Sequence, residues 1–382
     1  MKRSRKDICK GFILWVLKPL VYIWMRSDQK RYVKRDENVD FKRKEPFVLL
    51  ANHTFLFDVI HVPLRFRRVP YIVGSQTLFT RQPTKFLVTK IARVIPKSKG
   101  KSDVLTAKGL IKAVRSGYPV LIFPEGDTTF YGRTNPIEAS TYKFVRALGV
   151  DVLTCRVKGG YLSKPRWATG KRRNRAIELD YRMAIRKEEL ARLSLDEITK
   201  RIESHLYHDD YAYQKEVMHP HPGRKLAEGI EDVVYVCPHC EAINSIVSKG
   251  NTFHCTACGK AGRIDRYGFI HGFVYSDLIE WDAFQRRRKD LLAGSSFETT
   301  GTLYHMDVAD QIQHLIGPIS IRYADRYLYV RGSAELDIPV KEIANATITL
   351  RRDFGFNYQG RMLMIRVDRF GASLLRVVQT KY

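Results

Sequence analysis

The stretch Asn52-His53-Thr54-Phe55-Leu56-Phe57-Asp58 follows directly on the apolar run Phe47-Val48-Leu49-Leu50-Ala51, and its reading decides the fold of the first half of the chain. A strand that ends in Asn-His and turns within five residues folds the carboxylate of Asp58 back onto one ring nitrogen of His53. The other nitrogen then faces a cleft, the arrangement of a general base held by an orienting acid. The same residues also suit an ordinary strand-to-helix turn, with Asp58 as a first-turn acid and His53 as a satisfied polar group. The stretch alone does not choose between the two.

Working outward, short apolar runs alternate with helix-length amphipathic segments from Pro46 to about Tyr181. The runs Phe47 to Ala51, Tyr71 to Gly74, Val120 to Phe123, Val152 to Val157 and Ala176 to Tyr181 read as strands. Lys85 to Arg93, Ser102 to Arg115 and Glu138 to Leu148 read as helices, and such alternation predicts an α/β layer fold. Ser194 and Glu197 form a capping-box signature that opens a further helix through Ile198, Ile202 and Leu206. A second marker, Phe123-Pro124-Glu125-Gly126-Asp127-Thr128-Thr129, follows the run Val120-Leu121-Ile122. Proline and glycine on either side of an acid at a strand end predict a tight loop that presents Glu125 and backbone N–H groups.

Asn52-His53-x4-Asp58 followed by Phe123-Pro124-Glu125-Gly126 resembles the glycerolipid acyltransferases of the lysophosphatidic acid acyltransferase (1-acylglycerol-3-phosphate O-acyltransferase) type, over roughly residues 45 to 205. The resemblance implies a mixed sheet flanked by helices, with His53 deprotonating an acceptor hydroxyl and Asp58 orienting it. It implies that the loop of Glu125, Gly126, Asp127 and Thr128 helps to bind the acceptor's glycerol phosphate, and that an acyl group arrives on acyl-CoA or acyl carrier protein. Lys97 stands where the family has a phosphate-gripping arginine, among Arg93, Ser98, Lys99 and Lys101. Lysine holds phosphate as a point charge, not through a bidentate fork. Asp127 replaces a common threonine, and Thr154-Cys155-Arg156-Val157-Lys158-Gly159-Gly160 only approximates the family's last motif. These departures bear on the acceptor more than on the chemistry. No Gly-x-Ser-x-Gly elbow is present, and Cys155 sits in an apolar run that suits a buried strand, so no covalent nucleophile is expected.

The 382 residues are 44% apolar with a formal charge of +26, which predicts a globular protein with an anionic partner. A basic start, an apolar stretch from about Gly11 to Met25 and a basic run through Arg35 suggest where that partner lies. The stretch is interrupted by Lys18 and Pro19 and falls short of the roughly 20 residues of a spanning helix. Trp15, Tyr22 and Trp24 suit a headgroup region. This predicts a monotopic or peripheral anchor, or two short helices bent at Pro19, on the cytoplasmic face of an anionic membrane. An amphipathic helix packed on the protein's own core is the alternative.

Four of the six cysteines form two pairs, Cys237-Pro-His-Cys240 and Cys255-Thr-Ala-Cys258, separated by 14 residues. Two Cys-x-x-Cys knuckles at this spacing predict a structural Zn2+ ribbon and a reducing compartment. Lys249, Lys260, Arg263 and Arg266 are basic, but the ribbon lacks the interleaved aromatics that stack bases, which argues against nucleic acid. Past it, Ser276 to Leu292 reads as helical. Ile319 to Tyr323, Tyr327 to Arg331, Thr347 to Arg351, Met362 to Val367 and Leu374 to Val378 read as five strands of a small antiparallel β-domain, pleckstrin-homology-like in pattern.

The expected organisation is an anchor over residues 1–40, a catalytic domain over 41–207, a linker over 208–231, a zinc ribbon over 232–265, a helical connector over 266–300 and a β-rich domain over 301–382. The resemblance implies transfer of a fatty acyl group to a hydroxyl of lysophosphatidic acid or a related lysophospholipid in phospholipid biosynthesis. The competing expectation is a catalytically altered scaffold whose ribbon binds nucleic acid or a protein partner.

Overall fold

The computed structural model describes residues 5–28, 30–75, 86, 92–97, 104–170, 176–307 and 312–380. Most of the helix expected over Lys85 to Arg93, the first four residues of the basic start, and Ser98, Lys99 and Lys101 lie outside them. The chain divides into two units. The first comprises Met1–Thr129, Arg133–Ser163 and Asn174–Glu216, and the second Phe130–Gly132, Lys164–Arg173 and Val217–Tyr382.

Seven strands build the sheet of the first unit: β1 (Lys30–Arg35), β2 (Phe47–Ala51), β3 (Tyr71–Ser75), β4 (Val94–Lys97), β5 (Val120–Ile122), β6 (Asp151–Lys158) and β7 (Ala176–Ile185). Their order is β1-β7-β6-β2-β5-β3-β4. Strands β2 to β6 run parallel to one another, whereas β7 is antiparallel to β6 and pairs in parallel with β1, so the sheet is mixed as expected. All five residues of β2 are buried, the mark of a central strand covered on both faces.

Period-two alternation assigns those residues to two cores. Val48 and Leu50 point into a cluster with Leu110, Val145, Ile198 and Ile202, under the helices Val104–Arg115, Ala139–Leu148 and Leu195–Leu206. Phe47, Leu49 and Ala51 join Phe55, Phe66, Leu121, Phe123 and Tyr181 on the other face. Each such side chain contributes roughly 1.5–3 kcal/mol by leaving water. The helix Leu195–Leu206 begins at the expected capping box, with Ser194 N–H donating to Glu197 Oε2 at 2.8 Å.

The N-terminal segment is one helix, Arg5–Asp28, with Pro19 inside it, and not two helices bent at that proline. Proline removes a single N–H donor, and neighbouring contacts hold the helix through it: Lys18 Nζ donates to Phe66 O at 3.0 Å and Lys10 Nζ to Ala92 O at 3.1 Å. Among the described residues no helix is long and apolar enough to cross a membrane.

The expected linker is also corrected at its start. Asp210–Val217 forms a helix that belongs to the first unit as far as Glu216, and His208 and Asp210 are buried, because their side chains bond each other and Asp210 bonds the backbone after β6.

The second unit contains two sheets. Strands β8 (Ile246–Lys249), β9 (Thr252–Cys255), β10 (Ala261–Ile264) and β11 (Ile270–His271) pair in the order β11-β10-β9-β8. Strands β12 (Phe297–Asp307), β13 (Ile312–Ala324), β14 (Tyr327–Gly332), β15 (Leu336–Pro339), β16 (Ala344–Thr349), β17 (Asp353–Tyr358) and β18 (Arg361–Val367) form an antiparallel sheet ordered β15-β14-β13-β12-β18-β17-β16. The fifth strand expected from sequence, Leu374 to Val378, is instead part of the helix Gly371–Gln379. Leu374, Leu375, Val377 and Val378 are all buried, and the spacing i, i+1, i+3, i+4 is one face of a helix.

Candidate active site

The C-terminal end of β2 is where the first unit collects its polar side chains. Asn52 continues the β2–β6 ladder with its side chain: Nδ2 donates to Val157 O at 2.9 Å, and Oδ1 accepts from Val157 N at 2.7 Å. The chain then turns, and Asp58 opens the four-residue helix Asp58–His61. The Asp58 carboxylate accepts from the N–H groups of Thr54 (2.6 Å) and Phe55 (2.9 Å) and from Thr54 Oγ1 (3.2 Å). Its Oδ2 also lies 3.2 Å from His53 Nδ1. The Asp58 side chain is completely buried, whereas that of His53 keeps 15% of its surface exposed. Solvent can therefore reach the ring and not the acid. Burial pushes the Asp58 carboxyl above its ordinary range, against the pull of His53 and the two N–H donors.

The loop after β5 grips His53 by its backbone. Glu125 Oε1 accepts from His53 N at 2.7 Å, and Thr129 N donates to His53 O at 2.9 Å. The second oxygen of Glu125 accepts from Asn135 N at 2.6 Å. Phe123 stacks on the His53 ring, with centroids 4.4 Å apart and planes 29° from parallel. The loop makes its turn at Gly126, which has φ +74° and an N–H donating to Phe123 O at 3.1 Å. A side chain would find open space there, so the positive φ is what calls for glycine. Asp127 Oδ1 accepts from Thr128 N at 2.9 Å. Burial raises the Glu125 carboxyl to about 8; the Asn135 and His53 N–H groups oppose this, and the nearby Asp58 and Asp127 add to it.

The two motifs read from sequence thus meet, 72 residues apart in the chain. Lys97 does not join them directly. It ends β4, three strands from β2 in the order β2-β5-β3-β4. At about 4.8 Å per strand it lies roughly 14 Å along the same edge of the sheet. Cys155 is fully buried in β6, and burial raises its thiol well above the ordinary range, which leaves it inert as a nucleophile. Sequence reasoning did not single out Phe123 as a stacking partner, Thr54 and Thr129 as clamps, or Asn52 as a side-chain extension of the ladder. The signal for Asn52 is an amide directly after an apolar run.

In the second unit Cys237, Cys240, Cys255 and Cys258 come together, their sulfurs all within 4.8 Å of one another. Cys237 and Cys258 are 3.9 Å apart and Cys240 and Cys255 3.7 Å. Four thiolates at about 2.3 Å from a tetrahedral Zn2+ would be spaced by about 3.8 Å, so the donor set fits that ion. Each knuckle closes on itself: Glu241 N donates to Cys237 O, and Gly259 N to Cys255 O, both at 2.9 Å. Gly259, the residue after Cys258, has φ +74° and makes the tight turn that closes the second knuckle.

Residues 15–158 match the family model described as Acyltransferase. No curated protein sequence matches the chain. Among solved structures the chain is similar to the 1-acyl-sn-glycerophosphate (LPA) acyltransferase, PlsC, from Thermotoga maritima. The two share 18% identity over 53% of this chain and 80% of that one, with a TM-score of 0.43. His53, Asp58 and Glu125 all lie inside the stretch that matches this family model.

Proposed function

We propose that the chain transfers a fatty acyl group from acyl-CoA or acyl carrier protein to a hydroxyl of lysophosphatidic acid or a related lysophospholipid, in phospholipid biosynthesis. The observation that carries this reading is the accessible His53 ring backed at Nδ1 by a buried carboxylate. The acceptor hydroxyl gives its proton to His53 Nε2 as its oxygen attacks the thioester carbonyl. Asp58 stabilises the imidazolium through Nδ1–H. Collapse of the tetrahedral intermediate breaks the carbon–sulfur bond, and the departing thiolate takes the proton from Nε2. No acyl-enzyme is needed. An N–H donor aimed at the developing oxyanion would add roughly 3 kcal/mol.

Gly126, Asp127 and Thr128 line the acceptor side of His53 in this reading. Glu125 acts through the loop, since both of its oxygens hold backbone N–H groups. Lys97 attracts the acceptor phosphate from along the sheet edge. The helix Arg5–Asp28, which exposes Phe12, Trp15, Val16, Leu20 and Ile23, rests on the cytoplasmic face of an anionic membrane as a peripheral or monotopic anchor. Zn2+ occupies the four-cysteine cluster as a structural ion.

The test is acyl transfer from long-chain acyl-CoA or acyl carrier protein to a panel of lysophospholipids. His53→Ala is expected to lower kcat by roughly 10²–10⁴-fold, the usual contribution of a positioned general base. Wild type and variant equally inactive against the whole panel would end this reading. In the same assay Lys97→Met raises KM for lysophosphatidic acid and leaves KM for an uncharged monoacylglycerol unchanged. An equal effect on both acceptors removes Lys97 from the phosphate site.

A further inference from the structure

A second carboxylate, outside both motifs, stands behind the His53–Asp58 pair. Asp210 is completely buried and takes four donors. Its Oδ1 accepts from Gly159 N at 2.7 Å and meets His208 Nε2 at 2.5 Å; its Oδ2 accepts from Tyr161 N at 2.7 Å and Leu162 N at 3.3 Å. These bonds fix the turn at the end of β6, where Gly159 holds φ +75°. The next residue, Gly160, lies against the catalytic turn. A Cβ built there would stand 2.0 Å from Thr54 Oγ1 and 2.9 Å from Phe55 Cδ1, so its backbone sits where any side chain would displace Thr54. Thr54 in turn gives both its N–H and its hydroxyl to Asp58.

We propose that Asp210 is a positioning residue for the His53–Asp58 pair, acting through the Gly159–Leu162 turn, Gly160 and Thr54. The inference deepens the reading of His53 as the general base and rests on it. The His53–Asp58 contact leaves little slack: at 3.2 Å it is at the long end of an N–H···O hydrogen bond. A turn that slips toward Thr54 moves the carboxylate and weakens that bond. An amide at position 210 cannot replace the acid, because its NH2 would face either Gly159 N–H or Tyr161 N–H.

The experiment uses the full chain labelled with 15N-histidine, with the His53 Nδ1–H resonance assigned by its loss in His53→Gln. Asp210→Asn, Gly160→Ala and Thr54→Val are each expected to move that resonance upfield or broaden it, and Thr54→Ser, which keeps the hydroxyl, to restore it. With acyl-CoA and lysophosphatidic acid as substrates, kcat falls roughly tenfold or more in the first three variants, and KM for the acceptor stays within about twofold. A folded Asp210→Asn protein with the wild-type resonance and kcat overturns the proposal, as does a loss confined to KM. If circular dichroism shows Asp210→Asn unfolded, Gly160→Ala is decided by the same criteria. Should the wild type transfer acyl groups to no lysophospholipid, the proposed function fails, and the resonance comparison still decides the positioning.

Discussion

Glu125 ties its protonation to the fold. Both of its oxygens accept backbone N–H groups, yet burial raises its carboxyl from the ordinary 4.5 to about 8. A folded-state value above the unfolded one means that the native protein holds the extra proton between these limits. Its contribution to stability is therefore complete below about 4.5 and is lost as pH rises through about 8. Wild type should lose thermal stability relative to Glu125→Gln between those pH values, as followed by melting temperature. A difference that does not vary with pH would mean that Glu125 is ionised throughout. Asn135 and Thr129, which share the clamp with Glu125, carry no recognisable pattern in the sequence, because they act through backbone N–H groups that any residue possesses.

At the scale of elements, the Arg5–Asp28 helix presents Phe12, Val16, Leu20 and Ile23 on one exposed stripe, with Trp15 71% exposed beside it. Its far side is tied down by Lys18 and by the edge of Trp24 against Phe57, with ring centroids 5.8 Å apart. Phe57 belongs to the His53–Asp58 turn, so the helix and that turn share a contact. Trp15→Glu with Ile23→Glu should weaken flotation on anionic vesicles at least about tenfold, since burying one large apolar side chain is worth roughly 1.5–3 kcal/mol. Unchanged flotation would assign membrane contact elsewhere.

Elements with a strong period were legible before the structure. The buried run at β2 and the capping box at Ser194 were both read from sequence at the right places. Leu374 to Val378 was misread because five residues of mostly apolar character satisfy either period, and only the helical N-terminus at Gly371 separates them. The 208–231 stretch reads as a linker because it is rich in His, Asp, Tyr and Pro, and the steps His219-Pro220 and His221-Pro222 exclude a helix at both histidines. Burial of Asp210 by three backbone donors and a histidine is a tertiary effect with no local signature.

For the whole molecule, the second unit holds the metal-type cluster and a seven-stranded sheet, and the first holds the acyl-transfer candidates. Purified protein should contain one zinc per chain. Chelation, or Cys237→Ser, should open residues 232–265 to protease, since metal binding and folding are one equilibrium in small ribbons. Zinc-free protein whose ribbon resists proteolysis would show that the cluster holds together as thiols.

The path of the chain between the units has a further consequence, for cutting the protein into parts. It crosses from one unit to the other at 129/130, 132/133, 163/164, 173/174 and 216/217. A truncation after Glu216 would keep Phe130–Gly132 and Lys164–Arg173 while discarding the rest of the unit to which they belong. Tyr131, whose hydroxyl donates to Val233 O, and Trp167, which is 1% exposed, would both be stripped of their surroundings. The first unit is thus not a cassette with clean ends. A chain of this kind cannot be divided by a single cut, nor can its C-terminal half be exchanged for another without rewriting two short segments inside the first half.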